Sequence, residues 1–151
     1  YSRDGEGRVW TKPMPTQIPN NNGGIQVAKL QSGALVMVFN NCQATSRLPL
    51  DIALSYNDGI TWPFVRSLEY IAPPKSVPLR DRQKKEQSYP SVLQAPDGLI
   101  HVAYTWRRAA IKHVVVSEAW IKQGGTDGTF KGDTHGWPSL PKKQCKQKRC
   151  L

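Results

Sequence analysis

The feature that most constrains the fold is a polar turn with a central glycine, SYNDGITW over residues 55–62. An apolar run precedes this turn, and a second extended run follows it over residues 64–71. A glycine-centred polar turn between two extended runs is typical of a β-hairpin. Gly59 can adopt a positive φ at no steric cost, and the Ser55 and Asn57 side chains can bond backbone N–H groups within the turn. We therefore predict a hairpin at this point of the chain.

The chain also contains a repeat with a period of 65 residues, measured from Gly33 to Gly98. VAKLQSGALVMVF over residues 27–39 parallels VLQAPDGLIHVAY over residues 92–104. The period exceeds the roughly 40–50 residues of compact β repeats because a basic, proline-containing insertion occupies residues 73–87. Alternating and buried apolar patterns predict antiparallel strands within residues 24–40, 49–71 and 89–117. We predict no helix longer than a turn or two before residue 118.

The first residues, SRDGEGRVW over positions 2–10, preserve the order Ser, Asp, Gly, Trp of the turn at residues 55–62. One additional residue, which we assign to Glu6, lengthens the spacing. On this interpretation residues 10–18 form the last strand of a preceding structural unit. Pro13 and Pro15 would restrict that strand to a sheet edge.

The spacing Ser-x-Asn-x-Gly-x-Thr-Trp resembles the Asp-box of the sialidase-like (neuraminidase-like, BNR repeat) β-propellers, with Asn57 where that family usually has Asp. In the family, the Asp-box joins the third and fourth strands of a blade on the rim away from the substrate. Further segments resemble the last blade of such proteins: SYPSV at 88–92, DG at 97–98, YTW at 104–106 and IKHVV at 111–115. The Asp-box residues, with a structural role, are Ser55, Asn57, Asp58, Gly59, Thr61 and Trp62.

This resemblance covers residues 19–116 and implies an all-β fold of antiparallel four-stranded blades, present as part of a six-bladed propeller. Residues 1–121 are expected to supply a single strand, one complete blade and most of a second, all from the C-terminal portion. Residues 122–151 form a basic Gly/Lys/Pro-rich tail that we expect to be disordered. The upstream blades would be partners of this chain, which is expected to fold poorly and to be inactive without them.

The resemblance also implies a site. Sialidases of this kind bind the substrate carboxylate with three arginines, because a guanidinium pairs a carboxylate through two parallel bonds. Their nucleophile is a tyrosine activated by a glutamate, and an aspartate serves as acid and base. Arg47 matches the position of one such arginine and Tyr89 that of the nucleophile, although Pro90 departs from the usual small polar residue. Trp106 and Arg107 are candidates for the border of the substrate pocket.

Alternatives to these roles remain open. Arg47 could instead be a surface arginine at a loop, Tyr89 an aromatic that packs between blades, and Trp106 with Arg107 an exposed hairpin end. At the level of the whole protein, the leading hypothesis is a fragment of a sialidase-like, exo-acting glycoside hydrolase whose ligand is an acidic carbohydrate or glycoconjugate. The alternative is a propeller that binds carbohydrate, or serves as a scaffold, without catalysis.

The net charge of +10 also suggests a nucleic-acid-binding module. The positive charge is concentrated in residues 75–85, with five Lys or Arg against one Asp, and in residues 122–151, with seven against two. Because the aromatic residues lie mostly in the predicted strands, this arrangement disfavours a nucleic-acid site.

Other classes of site receive little support from the sequence. The three cysteines, Cys42, Cys145 and Cys150, are too scattered for a disulfide framework, and we expect reduced thiols. With His135 they form no zinc-binding spacing, and no metal or cofactor is implied. No apolar run approaches the roughly 18 residues that span a bilayer.

Overall fold

The computed structural model describes residues 2–13, 18–41, 47–69 and 86–124. Within these ranges, the chain forms two antiparallel sheets and one short helix. The first sheet has the order β1 (Gln26–Lys29), β2 (Leu35–Asn40), β3 (Leu50–Ser55), β4 (Phe64–Glu69). The second has the order β5 (Gln87–Gln94), β6 (Ile100–Trp106), β7 (Ala110–Val116), and helix α1 (Glu118–Lys122) follows it. The predicted all-β fold of antiparallel blades is confirmed, with four strands in the first sheet and three in the second.

Three boundaries differ from the prediction. No strand is formed at residues 11–13 or at Ile18, in part because Pro13 and Pro19 offer no N–H for a sheet. Strand β3 begins at Leu50, one residue after the start of the predicted range, and Arg47 lies three residues before the strand. Helix α1 extends to Lys122, the first residue of the predicted tail, because Ser117 caps it and Ile121 is buried in the core.

Several predictions fall on residues outside the described ranges. These are the basic segment 75–85, the tail from residue 125 onward, and all three cysteines. In the part of the chain that is described, no helix has the length and apolar character needed to cross a membrane.

The Asp-box turn (residues 55–62) closes through its own side chains. The Ser55 hydroxyl accepts a hydrogen bond from Gly59 N–H at 2.9 Å, and Asn57 Oδ1 accepts one from Thr61 N–H at 2.9 Å. Gly59 has φ 83°, and Trp62 donates its indole N–H to the Gly59 carbonyl while its ring is buried. The predicted hairpin is therefore confirmed, and Asn57 supplies the acceptor that an Asp usually supplies.

Residues 2–10 form a second turn of the same construction. Gly5 and Gly7 have positive φ, as Asp58 and Gly59 do, which leaves Glu6 as the additional residue. The same three bonds recur: Gly7 N–H to Ser2 Oγ at 2.9 Å, Val9 N–H to Asp4 Oδ2 at 3.2 Å, and Trp10 Nε1 to the Gly7 carbonyl at 2.6 Å. Unlike the Asp-box turn, this N-terminal turn is exposed.

The two turns provide a matched stability test. We expect Ser55→Ala to destabilise the chain by about 1–2 kcal/mol, because the Gly59 N–H loses its acceptor, the hydroxyl of the buried Ser55. Ser2→Ala removes the equivalent acceptor from an exposed turn and should cost no more than about 0.5 kcal/mol. Urea unfolding measures both. Equal costs would contradict a specific structural role for the Asp-box turn.

The two sheets pack face to face around one core. Residues on one face of each sheet form it, with Ile121 of α1: Leu30, Ala34, Val36, Val38, Leu50, Ile52, Leu54, Val92, Ile100, Val102 and Tyr104. The opposite face of the first sheet buries a second cluster, Met37, Phe39, Ala53, Trp62 and Val65. Two glutamines join the sheets at the interface, since Gln26 Oε1 accepts from Val92 N–H and Gln94 Oε1 from Gln31 N–H, both at 2.7 Å.

The 65-residue repeat shows that the sheets stack in the same sense. Val36 and Val38, which face the second sheet, correspond to His101 and Ala103, which face away from the first. Met37, on the far face of the first sheet, corresponds to Val102 in the shared core. Each unit therefore offers the same face to its successor, as stacked propeller blades do.

Helix α1 packs at the end of the strands where the Asp-box turn lies, which we call the Asp-box edge. The Glu118 carboxylate accepts hydrogen bonds from Ser32 and Tyr56 and pairs with Lys122. Burial raises the pKa of Glu118, but these bonds and the Lys122 charge outweigh it and hold the pKa below its ordinary value. The polar side chains at the Asp-box edge thus bond one another. The opposite end of the strands, where β2 ends and β3 and β5 begin, contains the predicted site residues. We call it the site edge.

Candidate functional site

Arg47 and Tyr89 lie together at the edge opposite the Asp-box turn. Arg47 is three residues before β3 of the first sheet, and Tyr89 is the third residue of β5 in the second. The Arg47 guanidinium carbon is 5.8 Å from the centroid of the Tyr89 ring, within cation–π range. The structure thus brings together the two residues that sequence analysis selected, one from each sheet.

Tyr89 projects from an irregular point of its strand. The pairing of β5 with β6 shifts between Ser88 and Ser91, and Tyr89 has φ 51°, which is unusual for a residue other than glycine. Pro90 fits at such a bulge because the ladder of hydrogen bonds is interrupted there. Tyr89 is 66 % exposed, so it is not a core aromatic of the two described sheets.

Two consecutive glycines allow the approach of the site residues. A Cβ at Gly23 would lie 2.6 Å from Arg47 Nη1 and 3.2 Å from Asn40 Oδ1, so no larger residue fits without movement. A Cβ at Gly24 would lie 3.4 Å from Cδ1 of the Tyr89 ring. Arg47 is half-buried, and its Nη1 is buried with no hydrogen-bond partner within the described residues. It is therefore not an ordinary solvated surface arginine.

Asn40, the last residue of β2, also belongs to this site, although no site prediction from the sequence included it. Its side chain is buried, and its Nδ2 donates to the Arg47 carbonyl and to the Gln87 carbonyl, each at 2.8 Å. The available signal was a polar residue that continues the buried apolar run of residues 36–39. A buried amide at that position requires hydrogen-bond partners.

Trp106 and Arg107 lie at the same edge, Trp106 as the last residue of β6 and Arg107 in the turn to β7. The Arg107 guanidinium carbon is 4.6 Å from the centroid of the Trp106 ring, and Arg107 N–H donates to the Glu86 carbonyl at 2.7 Å. These contacts place the turn beside the residue that precedes β5. The predicted pocket border is therefore connected to Tyr89 through the start of β5.

The Glu86 carboxylate lies near two arginines of the site edge, Arg47 and Arg108. Its oxygens accept from the Ser88 hydroxyl and pair with Arg108. Burial raises the pKa of Glu86. The Ser88 and Arg108 bonds and the positive charges of Arg108 and Arg47 lower it by more, so that the pKa lies below its ordinary value. Glu86 is consequently ionised at neutral pH and is a weak base, better suited to holding cations than to accepting a proton.

A buried acid lies behind the site. Asp51 on β3 accepts hydrogen bonds from Asn41 Nδ2 and the Ser67 hydroxyl. Burial raises the pKa of Asp51 to about 6, although both hydrogen bonds act to lower it. The unfolded chain loses this proton near the ordinary value of 3.8, so between about pH 4 and pH 6 the folded chain binds more protons. The contribution of Asp51 to stability is therefore fully present at acidic pH and is lost as the pH rises through about 6.

Asp51→Asn should remove this dependence. We expect the free energy of unfolding of the natural chain, relative to the variant, to increase as the pH falls from 7 to 4, by at most about 1.4 kcal/mol per pH unit. Glu86 and Glu118, whose pKa values are lowered, have the opposite dependence but are common to both proteins. Urea unfolding across this range measures the difference. A constant difference would contradict the raised pKa.

Further polar contacts join the two sheets at the site edge. Tyr104 donates its hydroxyl to Glu69 at 2.8 Å, and Lys112 forms an ion pair with the same carboxylate.

On the far face of the second sheet, His101 Nδ1 and His113 Nε2 lie 3.0 Å apart and bond each other. In the described part of the chain, no group of three or more His, Cys, Asp or Glu side chains is placed to hold a metal ion.

Comparison with known proteins matches the chain to a protein family. Residues 1–102 match the family model of the BNR repeat-like domain. The matched segment includes both glycine-centred turns, the whole first sheet, Arg47 and Tyr89. No curated protein and no solved structure matches the chain.

Proposed function

Because the chain belongs to the BNR repeat-like domain family, we propose that it is part of a sialidase-like glycoside hydrolase that acts on an acidic, sialic-acid-like sugar. The main support is the contact between Arg47 and Tyr89, which lie 5.8 Å apart at the edge opposite the Asp-box turn. In this proposal Arg47 binds the substrate carboxylate. The Tyr89 hydroxyl, on an exposed ring, approaches the anomeric carbon.

The electrostatics of the edge favour an anionic ligand. Arg47, Arg107 and Arg108 lie near the Glu86 residue, whose carboxylate pairs with Arg108. Arg47 forms no ion pair among the described residues, and its contact is with the face of an aromatic ring. A half-buried cation of this kind binds a carboxylate more strongly than one in bulk water, because less solvent screens it.

The chemistry proposed for Tyr89 is nucleophilic. Its oxygen attacks the anomeric carbon while the glycosidic C–O bond breaks, and an acid elsewhere in the complete protein protonates the leaving oxygen. Water then hydrolyses the tyrosyl-glycosyl intermediate, with net retention of configuration. The Tyr89 proton must pass to a base. Glu86 is poorly suited to that role because Ser88 and Arg108 already engage its oxygens.

Binding of the carboxylate can be tested on the chain itself. Calorimetry would compare N-acetylneuraminic acid with its methyl ester, which differs mainly in the loss of the negative charge. We expect weak binding of the acid, because one arginine supplies the contact, and affinity for the ester at least about tenfold lower. Equal affinities, or no binding of the acid, would contradict the proposal.

A second candidate function is carbohydrate binding without catalysis. The observation that favours it is the state of Glu86, whose lowered pKa and occupied oxygens make it a poor base for the Tyr89 hydroxyl. This candidate predicts the same preference for the acid over its ester. The two functions differ in turnover, which the Tyr89 variant discussed below examines.

We also propose that further propeller blades cover the outer face of the second sheet. This face corresponds, through the 65-residue repeat, to the face of the first sheet that the second sheet covers. It exposes apolar side chains that such a cover would bury: Leu93, Ile111 and Val115.

Leu93→Ala tests this cover. In the present chain the substitution should change the free energy of unfolding by no more than about 0.5 kcal/mol, since Leu93 is 55 % exposed. In a longer chain that supplies the next blade, it should cost about 2 kcal/mol or more. The control is Val92→Ala on the buried face, which should be destabilising in both. A neutral effect of Leu93→Ala in both chains would contradict the proposed cover.

A further inference from the structure

We propose that Asn40 is a positioning residue that sets the distance between Arg47 and Tyr89. It touches neither a substrate nor the Tyr89 hydroxyl in this proposal, and acts through the two segments that it joins. The relevance of Asn40 to substrate binding rests on the proposed function. Its effect on the distance between Arg47 and Tyr89 is independent of that function.

The two hydrogen bonds of Asn40 connect the segments that present the two site residues. One N–H of Nδ2 bonds the carbonyl of Arg47 itself, and the other bonds the carbonyl of Gln87, two residues before Tyr89. Both bonds are 2.8 Å long, and Asn40 is 2 % exposed. One side chain therefore fixes the loop before β3 of the first sheet against the start of β5 of the second.

An amide is the group that this position requires. Two carbonyls must each receive a hydrogen bond from a short, uncharged side chain in a buried site, and a carboxylate at neutral pH has no N–H or O–H to donate. If the amide is removed, the carbonyls of Arg47 and Gln87 lose their buried hydrogen-bond donor. Because an unpaired buried carbonyl is costly in free energy, both segments should shift toward other donors.

The repeat indicates that the blade fold in general does not require an amide at this position. The residue equivalent to Asn40 in the second unit is Thr105, which has a single hydroxyl donor. Both residues occupy the same register, since Asn40 pairs with Leu50 and Thr105 with Ile111. The second unit thus has a different side chain at this position, although Arg107 and Arg108 precede its third strand, β7.

The test compares Asn40→Ala with Asn41→Ala in the 151-residue chain. Asn41 is the adjacent residue, is equally buried, and loses one bond of its own, to Asp51, but does not bond Arg47 or Gln87. The readout is the NMR resonance of the Arg47 Nε–H group, which the ring current of Tyr89 displaces. Tyr89→Leu provides the position of that resonance when the ring is absent.

We expect the Arg47 resonance in Asn40→Ala to move to its position in Tyr89→Leu, and that in Asn41→Ala to stay near its natural position. Affinity for N-acetylneuraminic acid should fall about tenfold in Asn40→Ala and remain within about twofold in Asn41→Ala. If Asn40→Ala lacks a cooperative unfolding transition, Asn40→Ser, which restores one donor, replaces it.

Three results would overturn the proposal: an unmoved Arg47 resonance in the Asn40 variant, an equal displacement in both variants, or loss of folding in both Asn40 variants while Asn41→Ala folds. The last result would assign Asn40 to fold stability. Because the NMR readout needs no ligand, its failure is distinguishable from failure of the natural chain to bind the acid, which would overturn the proposed function alone.

Discussion

Tyr89→Phe in the complete protein is expected to abolish turnover of a sialoside while leaving affinity for the free acid nearly unchanged. Only the hydroxyl is removed, and the ring that faces the Arg47 guanidinium remains. If that hydroxyl is the nucleophile, turnover should fall at least about a thousandfold. The measurement is the release of a fluorescent leaving group at saturating substrate, with affinity determined separately.

Tyr56→Phe is the matched control for this prediction. Tyr56 is also an exposed tyrosine, but it lies at the Asp-box edge, where its hydroxyl bonds Glu118. Its removal should leave turnover unchanged. Undiminished turnover in Tyr89→Phe would contradict the nucleophile assignment, and a natural protein that binds the acid without turnover would favour the non-catalytic alternative.

The second large effect is expected from Arg47→Lys, although the charge is conserved. An ammonium group cannot reproduce the two parallel bonds of a guanidinium to a carboxylate. We expect a loss of about 2 kcal/mol or more in transition-state binding, which is the scale of hydrogen bonds to charged groups. The loss should appear in kcat/KM for the acidic substrate.

Arg66→Lys offers the control for this substitution. The Arg66 guanidinium also lies over an aromatic ring, 3.8 Å from the Trp120 centroid, but belongs to the opposite part of the first sheet, where it bonds the Trp120 carbonyl. Its replacement should affect stability and not kcat/KM. Equal kcat/KM for Arg47→Lys and the natural protein would show that Arg47 does not bind the substrate carboxylate.

Much of the fold could be predicted because local chemistry specified it. Gly59 and Gly98 have the positive φ that their turns require, and each follows a side chain able to bond the turn backbone. The buried run of residues 36–39 indicated a strand covered on both faces, and the two core clusters show that cover. In these elements, sequence and tertiary structure favour the same conformation.

Helix α1 illustrates why the region after β7 could not be predicted. In the first sheet an Asp-box turn follows the third strand, whereas Ser117 here accepts the Trp120 N–H and begins a helix. A Ser followed by Glu118 in the first turn is an N-cap signal, but a helix of five residues is stabilised mainly by tertiary contacts. Those contacts, with β3 and β4, are remote in sequence.

The candidate site was only partly predictable for a similar reason. The resemblance supplied Arg47 and Tyr89, but it did not indicate the features that surround them, which are the bulge at Tyr89, the close approach of Gly23 and Gly24, and the hydrogen bonds of the Asn40 side chain. Each of these acts between segments that are far apart in the sequence. Period-2 patterning specifies which face a residue occupies and says nothing about such contacts.

The most direct test of the central claim is the location of the bound acid on the chain. Titration of the isotopically labelled 151-residue chain with N-acetylneuraminic acid, followed by NMR, reports which residues respond. Our account predicts saturable shifts at Arg47 and Tyr89 and unchanged resonances for Tyr56 and Ser32 at the Asp-box edge. Shifts at Tyr56 and Ser32, with none at Arg47 and Tyr89, would contradict it.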